Sequence, residues 1–232
     1  MRAAARAVAW WVAMRRFILE YPPFMKILFG STNEGKFREV SRVAAPRGVE
    51  FESLVAASQG AGTKVPEVAE GLLSYEGNAA RKALSYARWA KRMAIADDTG
   101  IEIEALGGLP GVYSHRFGLE RVALLLRQGN GSCARFICCM SFAEPSGRVV
   151  SVHRELLGHI RAPQPAELPH LRAEPLPYAR LFVPQGESES LAALHGRDEF
   201  LSHRGAALVT LLDVLGLGPF GGSAGGALHS HS

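Results

Sequence analysis

The chain has 232 residues, of which 47% are apolar and 21% charged, and this is enough for one large domain or two lobes that share a core. No segment has eighteen consecutive apolar residues, which excludes a membrane span, and no Lys/Arg stripe follows a predicted helix, which argues against binding to duplex DNA. The net charge of +4 suits a small anionic substrate.

Residues 1–24 carry four arginines and have no acidic residue before Glu20. This composition is compatible with an organelle transit peptide, although the segment has no serine. The alternative is an upstream extension ahead of a true start at Met25, since the first predicted strand begins there. At the other end, residues 217–232 are rich in Gly and Ser, and we expect them to be disordered.

Residues 25–216 show the apolar periodicities of a mixed α/β domain, and we detect no internal repeat. Short apolar runs predict strands at 25–30, 93–96, about 101–103, 134–143, 148–153, 155–160 and 181–184. Periodicities near 3.6 predict helices at 36–45, 76–92, 119–128 and 202–215. Residues 163–177 hold five prolines and are expected to be irregular. The mixture of βα units and hairpins favours a mixed sheet with flanking helices.

The three cysteines, Cys133, Cys138 and Cys139, do not form a disulfide framework. Their number is odd and two are adjacent, which also differs from the spacing of zinc ligands. We therefore expect a reducing, cytoplasmic location, with organellar targeting by residues 1–24 left open.

The loop GSTNEGK, residues 30–36, follows a strand and precedes a helix. Backbone N–H groups at such a junction favour phosphate, and Lys36 adds a positive charge. A P-loop fits the G-x-x-x-x-G-K spacing, but it needs Ser or Thr where this chain has Phe37. The other alternative is a simple helix cap at Ser31 or Asn33.

Acidic residues supply the second group of candidates. Asp97 and Asp98 are predicted to end a strand, where ligands bind in α/β sheets. Adjacent carboxylates need a nearby cation, and magnesium takes oxygen ligands from one or two carboxylates plus substrate phosphates. Glu67 and Glu70 could complete such a site. The alternative for Asp97 and Asp98 is a capped turn, and the alternative for Glu67 and Glu70 is a pair of solvated surface charges.

The segment SHRG, residues 202–205, begins the last helix. Ser202 is a natural N-cap, whereas His203 and Arg204 in the first turn oppose the helix dipole. Cations in this position indicate a nearby anion, although incidental surface charges would give the same pattern.

Taken together, these segments resemble the inosine triphosphatase or Ham1-like noncanonical purine nucleoside triphosphate pyrophosphatases. STNEGKFREV resembles the S/T-x-N-x-x-K-x-x-E segment of that family, and EGLLSYEGNAARKA resembles its E-T-G-x-T-F-x-E-N-A-x-x-K-A segment. ADDTGIEIEALGGLPGVYSHRFG and LSHRGAAL match two further motifs, so the similarity extends from Met25 to about Gly216.

The resemblance implies an elongated mixed sheet with two lobes around a central cleft, usually in a homodimer. It implies Mg²⁺-dependent hydrolysis of ITP, dITP or XTP to the monophosphate and pyrophosphate. Asp98 would be the general base and a metal ligand, with Asp97 as its acidic neighbour and Glu70 or Glu67 as a further ligand. The residues expected to contact the purine nucleotide are Ser31, Thr32, Asn33, Lys36, Thr99, Ser114, Tyr178, His203 and Arg204.

Within that set, residues 31–36 would hold the triphosphate, and His203 and Arg204 would contact the base. The chain departs from the family in its second half, where G-F-G-Y-D-P-x-F is replaced by PLPYARLF. Tyr178 is retained, but the expected Asp is Ala179, and a family Lys is Asp198. The alternative function is therefore a nucleotide-binding homologue with impaired or altered catalysis.

Overall fold

The computed structural model describes residues 26–71, 73–114, 116–126, 131–172, 174, 177–197 and 199–217. The expectations for residues 1–24 and for nearly all of the tail therefore concern segments outside the described residues, and so does the substitution at Asp198.

Seven strands form one mixed sheet with the order β2-β1-β3-β5-β6-β7, and β4 pairs with β3. The strands are β1 Lys26–Phe29, β2 Glu50–Ser53, β3 Ala94–Ile103, β4 Pro110–Gly111, β5 Ser132–Ala143, β6 Val149–Ile160 and β7 Phe182–Pro184. The first three strands of the order run parallel, whereas β5, β6 and β7 are antiparallel to their neighbours.

Helices flank this sheet on both faces. They are α1 Glu34–Ala44, α2 Leu54–Ala61, α3 Tyr75–Ala90, α4 Leu119–Leu126, α5 Leu168–Arg172, α6 Pro177–Leu181, α7 Leu191–Leu194 and α8 His203–Val214. Three short 3₁₀ turns at Ala45–Arg47, Glu104–Leu106 and Pro165–Glu167 complete the described elements.

Two hydrophobic clusters hold the helices against the first half of the sheet. Ile27, Phe29 and Ile95 point to the face that α1 and α8 cover. Leu28 and Ala96 point to the opposite face, under α2 and α3. Since side chains alternate along a strand, this distribution fixes which face each later residue of β3 occupies.

A third cluster forms the core of the second lobe, around the far ends of β3 and β5. Ile101, Ile103 and Phe136 meet helix α4 and the short helices α5 to α7 there. The pairing of β3 with β1 ends at Ile95, but β3 continues and pairs with β5 along its whole length. Residues 96–103 thus connect the two lobes, and the sheet edge beside them opens where β1 stops.

Three predictions about the elements were wrong. The strands expected at 93–96 and 101–103 are one strand, because pairing with β5 carries the backbone through the charged segment between them. The strands expected at 148–153 and 155–160 are likewise the single strand β6. The proline-rich segment contains α5, since Pro169 stands in the first helical turn, where no intrahelical N–H is needed.

The close approach of β3 and β4 depends on Gly100. An added Cβ would collide with the carbonyl oxygen of Gly111 and with the ring of Tyr75. At Gly60, in contrast, a Cβ meets nothing within 4 Å.

We therefore predict that Gly100→Ala lowers the free energy of unfolding by about 2 kcal/mol or more, because backbone and ring must shift. The matched control Gly60→Ala, in helix α2, should be neutral or should stabilise by up to about 1 kcal/mol. Urea denaturation of both variants measures the difference. Equal stabilities would show that the β3–β4 contact is not tight.

Candidate active site

The loop between β1 and α1 is shaped by its own side chains. Asn33 is the N-cap of α1, and its Oδ1 accepts a hydrogen bond from the Lys36 amide at 3.1 Å. Ser31 Oγ accepts from the Asn33 amide at 3.2 Å. The capping alternative therefore holds for Asn33, and the cap places Lys36 in the first turn of α1 with its side chain directed towards β3.

Asp97 lies in the middle of β3 and is buried on the face covered by α1 and α8. Its Oδ2 accepts hydrogen bonds from Lys36 Nζ at 2.8 Å, Thr99 Oγ1 at 2.9 Å and Arg204 Nε at 3.1 Å. Burial alone would raise the pKa of Asp97, but the charges of Lys36 and then Arg204 outweigh it and hold this pKa far below its ordinary value. Asp97 is thus a permanent anion.

Glu39 extends this cluster along α1. Its carboxylate accepts from Arg204 Nη1 at 2.6 Å, faces His195 Nε2 at 3.1 Å and accepts the hydroxyl of Ser202. Burial would raise its pKa, but the His195 hydrogen bond and the charge of Arg204 lower it well below the usual range. The anions that the cationic Arg204 of α8 requires, Glu39 and Asp97, are therefore internal to the protein.

Asp98 points to the opposite face of β3, towards α3. Asn78 Nδ2 donates to Asp98 Oδ2 at 3.0 Å, and Lys82 Nζ lies 3.7 Å from Asp98 Oδ1. The same ammonium pairs with Glu70 Oε1 at 2.8 Å. Burial is the main cause that raises the pKa of Asp98, and the charges of Glu70 and Asp97 add to it. A carboxylate with this raised pKa is a better proton acceptor than Asp97.

Asp98 and Glu70 are the carboxylates that fit a divalent metal. Both lie beside one ammonium group, so a cation is already required between them, and their hard oxygens suit magnesium. Among the described residues, no cluster of three or more His, Cys, Asp or Glu side chains could enclose an ion. The substrate phosphates and water would therefore complete the coordination. Asp97 faces away from these two groups. Glu67 and Glu70 are both exposed, and the ion pair with Lys82 is what places Glu70 rather than Glu67 beside Asp98.

A cleft of about 330 Å³ opens beside the Asp97 face. Six of the residues expected to bind the substrate line it, namely Asn33, Lys36, Thr99, Ser114, Tyr178 and Arg204. Phe136, Pro177 and Ala179 add apolar wall. The lysine-bearing loop, strand β3 and the start of α8 therefore meet at one cavity, whose size lies in the range of small-molecule sites.

Ser114 and Tyr178 also have structural contacts at the cleft. Ser114 Oγ accepts from the Ile101 amide at 2.9 Å and donates to the Gly111 carbonyl at 2.5 Å, which holds the turn beside β3. Tyr178 is buried, and burial raises its pKa to about 12, so its hydroxyl is a neutral donor at physiological pH.

The other three expected substrate residues, Ser31, Thr32 and His203, do not line this cleft. Ser31 and Thr32 line a neighbouring depression of about 320 Å³ that also includes Asn33. Arg204 is fully buried, and its Nη2 has no hydrogen-bond partner among the described residues, so this donor is available to a ligand. His203 is buried and stacks on Phe136, with ring centroids 4.9 Å apart.

Three residues of the site were missed in the sequence. Asn78 and Lys82 lie four positions apart on the alanine face of α3, and Glu39 lies on the inner face of α1. The signal was a polar residue at a buried helical position, because a lysine or glutamate there needs a partner. The identity of the partners depends on the tertiary fold.

The pH dependence of stability should report the burial of His203. Burial, with the charge of Arg204, lowers its pKa from 6.5 to about 3. Between these two values the unfolded chain binds a proton that the native protein does not, so stability falls as the pH falls. We predict that His203→Phe, which keeps an aromatic ring against Phe136, removes about 1.4 kcal/mol per pH unit of that slope.

Urea denaturation of the native sequence and of His203→Phe at pH 6.5, 5.5 and 4.5 measures the two slopes. The carboxylates are common to both proteins and cancel in the comparison. Identical slopes would mean that His203 is protonated in the native state.

None of the helices in the described part of the chain has the length and apolar character that crossing a bilayer requires.

A family model described as the Ham1 family matches residues 27–214. The dITP/XTP pyrophosphatase of an Exiguobacterium strain is 36% identical over 195 residues, which cover 79% of this chain and 93% of that relative. The dITP/XTP pyrophosphatase of Deinococcus radiodurans is also 36% identical, over 201 residues, which cover 82% of this chain and 93% of that relative.

Solved structures agree with these sequence matches. A HAM1 protein from Coxiella burnetii aligns with 83% of this chain and 98% of its own, with a TM-score of 0.67 and 25% identity. A nucleoside-triphosphatase or dITP/XTP pyrophosphatase from Mycobacterium abscessus aligns with 81% of this chain and 99% of its own, with a TM-score of 0.56 and 33% identity. The expected α/β fold is confirmed, and the chain belongs to the Ham1 family.

Proposed function

We propose that the chain hydrolyses noncanonical purine nucleoside triphosphates, such as dITP, ITP and XTP, to the monophosphate and pyrophosphate. The observation that carries this proposal is the meeting of the Lys36 loop, strand β3 and Arg204 at one cleft, where Asp97 holds Lys36 and Arg204 and the neighbouring Asp98 lies on the other face of the strand. The names of relatives such as the Exiguobacterium dITP/XTP pyrophosphatase support the same reaction. Clearance of such nucleotides from the cellular pool would be the biological role.

The chemistry starts from Asp98. Its carboxylate, with a raised pKa, accepts a proton of a water molecule while the water oxygen forms a bond to the α phosphorus. The bond between the α and β phosphates breaks, and the pyrophosphate takes the bonding electron pair. Asn78 holds Asp98 Oδ2 at 3.0 Å, which leaves Oδ1, on the side of Lys82, to accept the proton. The products contain all the atoms of one triphosphate and one water.

A divalent metal, which we take to be Mg²⁺, would be held by Asp98 and Glu70 and would neutralise charge on the phosphates when bound. Lys36 supplies a second positive charge from the loop side. Asp97 contributes indirectly, because it fixes the position of Lys36 at 2.8 Å and of Arg204 at 3.1 Å. We assign Asp97 a positioning role and Glu67 no contact with the metal.

The base would lie against Phe136, Tyr178 and Ala179. The unpartnered Nη2 of Arg204 is a donor suited to the carbonyl oxygen of a 6-oxopurine. Ala179 stands where the family has Asp, so one polar contact to the base is missing. This substitution favours a second candidate function, nucleotide binding with impaired or altered turnover.

An assay of phosphate products separates these possibilities. Purified protein is incubated with Mg²⁺ and ITP, XTP, dITP, GTP or ATP, and pyrophosphate and orthophosphate are measured separately. We expect pyrophosphate with the monophosphate, and faster turnover of the 6-oxopurines ITP and XTP than of ATP. Orthophosphate with a diphosphate would refute the proposal, and binding without any product would support the second candidate.

The role of Asp98 is tested by Asp98→Asn. We predict a loss of about 100-fold or more in kcat, because the amide cannot accept the proton, whereas the fold is kept since Asn preserves the shape. The exposed Asp213→Asn, which removes a carboxylate paired with Arg47, is the matched control and should keep full activity. Circular dichroism checks folding. Undiminished turnover in Asp98→Asn would remove Asp98 from the mechanism.

Two further features remain proposals. The family resemblance implies a homodimer, which light scattering coupled to size-exclusion chromatography would test. We also propose a cytoplasmic location and no nucleic-acid partner, in keeping with the cysteine pattern and the modest net charge of +4.

A further inference from the structure

Lys82 occupies an unusual position on α3. It lies on the helix face that is otherwise lined by Ala79, Ala83 and Ala87, and its side chain is 10% exposed. Its ammonium is 2.8 Å from Glu70 Oε1 and 3.7 Å from Asp98 Oδ1. One cation therefore bridges a carboxylate from the segment before α3 and a carboxylate from β3.

The bridge satisfies an electrostatic need. Asp98 is 8% exposed, and without a cation its negative charge would stand close to Glu70 and to Asp97. Like charges repel, so a cation between Asp98 and Glu70 favours the close approach of these two carboxylates. In the described structure that cation is Lys82.

We propose that Lys82 is a placeholder for the divalent metal: it bridges Glu70 and Asp98 while no metal is bound, and it leaves them when a metal binds. This inference rests on the metal site of the proposed function. A metal ion between the two carboxylates would repel an ammonium in the same place, so the two cations exclude each other. The flexible stem of lysine allows the ammonium to move without a change of the backbone.

The exchange would couple metal binding to substrate binding. An ammonium released from Glu70 and Asp98 remains on α3 beside the metal, where the phosphates of a metal-bound triphosphate can accept its hydrogen bonds. Without metal, the ion pair of Lys82 with Glu70 would keep the site ordered. Once metal is bound, the released ammonium of Lys82 would bind the substrate phosphates. A fixed structural ion pair, in contrast, would stay in place in both states.

Binding of Mn²⁺ in the absence of nucleotide tests the proposal, with free Mn²⁺ measured by electron paramagnetic resonance. Lys82→Met and Lys82→Gln remove the competing charge and should bind Mn²⁺ about fivefold more tightly or better. Lys82→Arg keeps the charge and should bind about as the native protein does. Lys36→Met removes a lysine paired with Asp97 on the other face and should change the affinity less than about twofold.

Melting temperatures give a second readout. Lys82→Met without metal should melt below the native protein, because Glu70 and Asp98 lose their cation, and Mn²⁺ should raise its melting temperature more than that of the native protein. Equal or weaker Mn²⁺ binding in both neutral variants would overturn the proposal. An equal gain of Mn²⁺ affinity in Lys36→Met would also overturn it, and so would the absence of measurable Mn²⁺ binding in the native protein and all of the variants.

The failure of this proposal can be distinguished from the failure of the proposed function. Pyrophosphate release by the native protein is measured in a separate assay, so an active enzyme with unchanged Mn²⁺ affinity in the neutral Lys82 variants would refute the placeholder alone. A native protein that binds Mn²⁺ and releases no pyrophosphate would refute the proposed reaction alone.

Discussion

The alternation of side chains along β3 is the constraint on which the site depends. Asp97 and Asp98 are adjacent, and each would repel the other if both pointed into one space. Because the strand turns them to opposite faces, Asp97 meets Lys36 and Arg204, whereas Asp98 meets Lys82. The same ion pairs fasten α1 and α8 on one face of the sheet and α3 on the other.

The end of β1 turns this arrangement into a site. Beyond Ile95 the strand β3 has lost its parallel neighbour, so the loop at residues 30–33 and the start of α8 lie beside it instead. The cations Lys36 and Arg204 are thereby fixed at an opening between two hydrophobic clusters, and the proton acceptor Asp98 lies on the other face of the same strand. Such preorganised charge suits the transfer of phosphoryl groups, where positioning and electrostatic stabilisation supply most of the catalysis.

Much of this could be predicted from the sequence. The cap at Asn33, the helix at 76–92 and the N-cap at Ser202 follow from local patterns, and the motifs identified the family. The continuity of β3 could not be predicted, because aspartate and glycine disfavour strands by themselves. Here tertiary contacts, which the sequence does not show, outweigh that preference. Nor could the partners of Arg204, since Glu39 lies 165 residues away along the chain.

A crystal grown with Mn²⁺ and a non-hydrolysable analogue of ITP would test the central claim most directly. Anomalous scattering locates the manganese without ambiguity. We predict a peak on the α3 side of β3, bonded to Asp98 and Glu70, with Asp97 still paired to Lys36. A peak bonded to Asp97 on the side of α1 and α8 would contradict the division of the two aspartates.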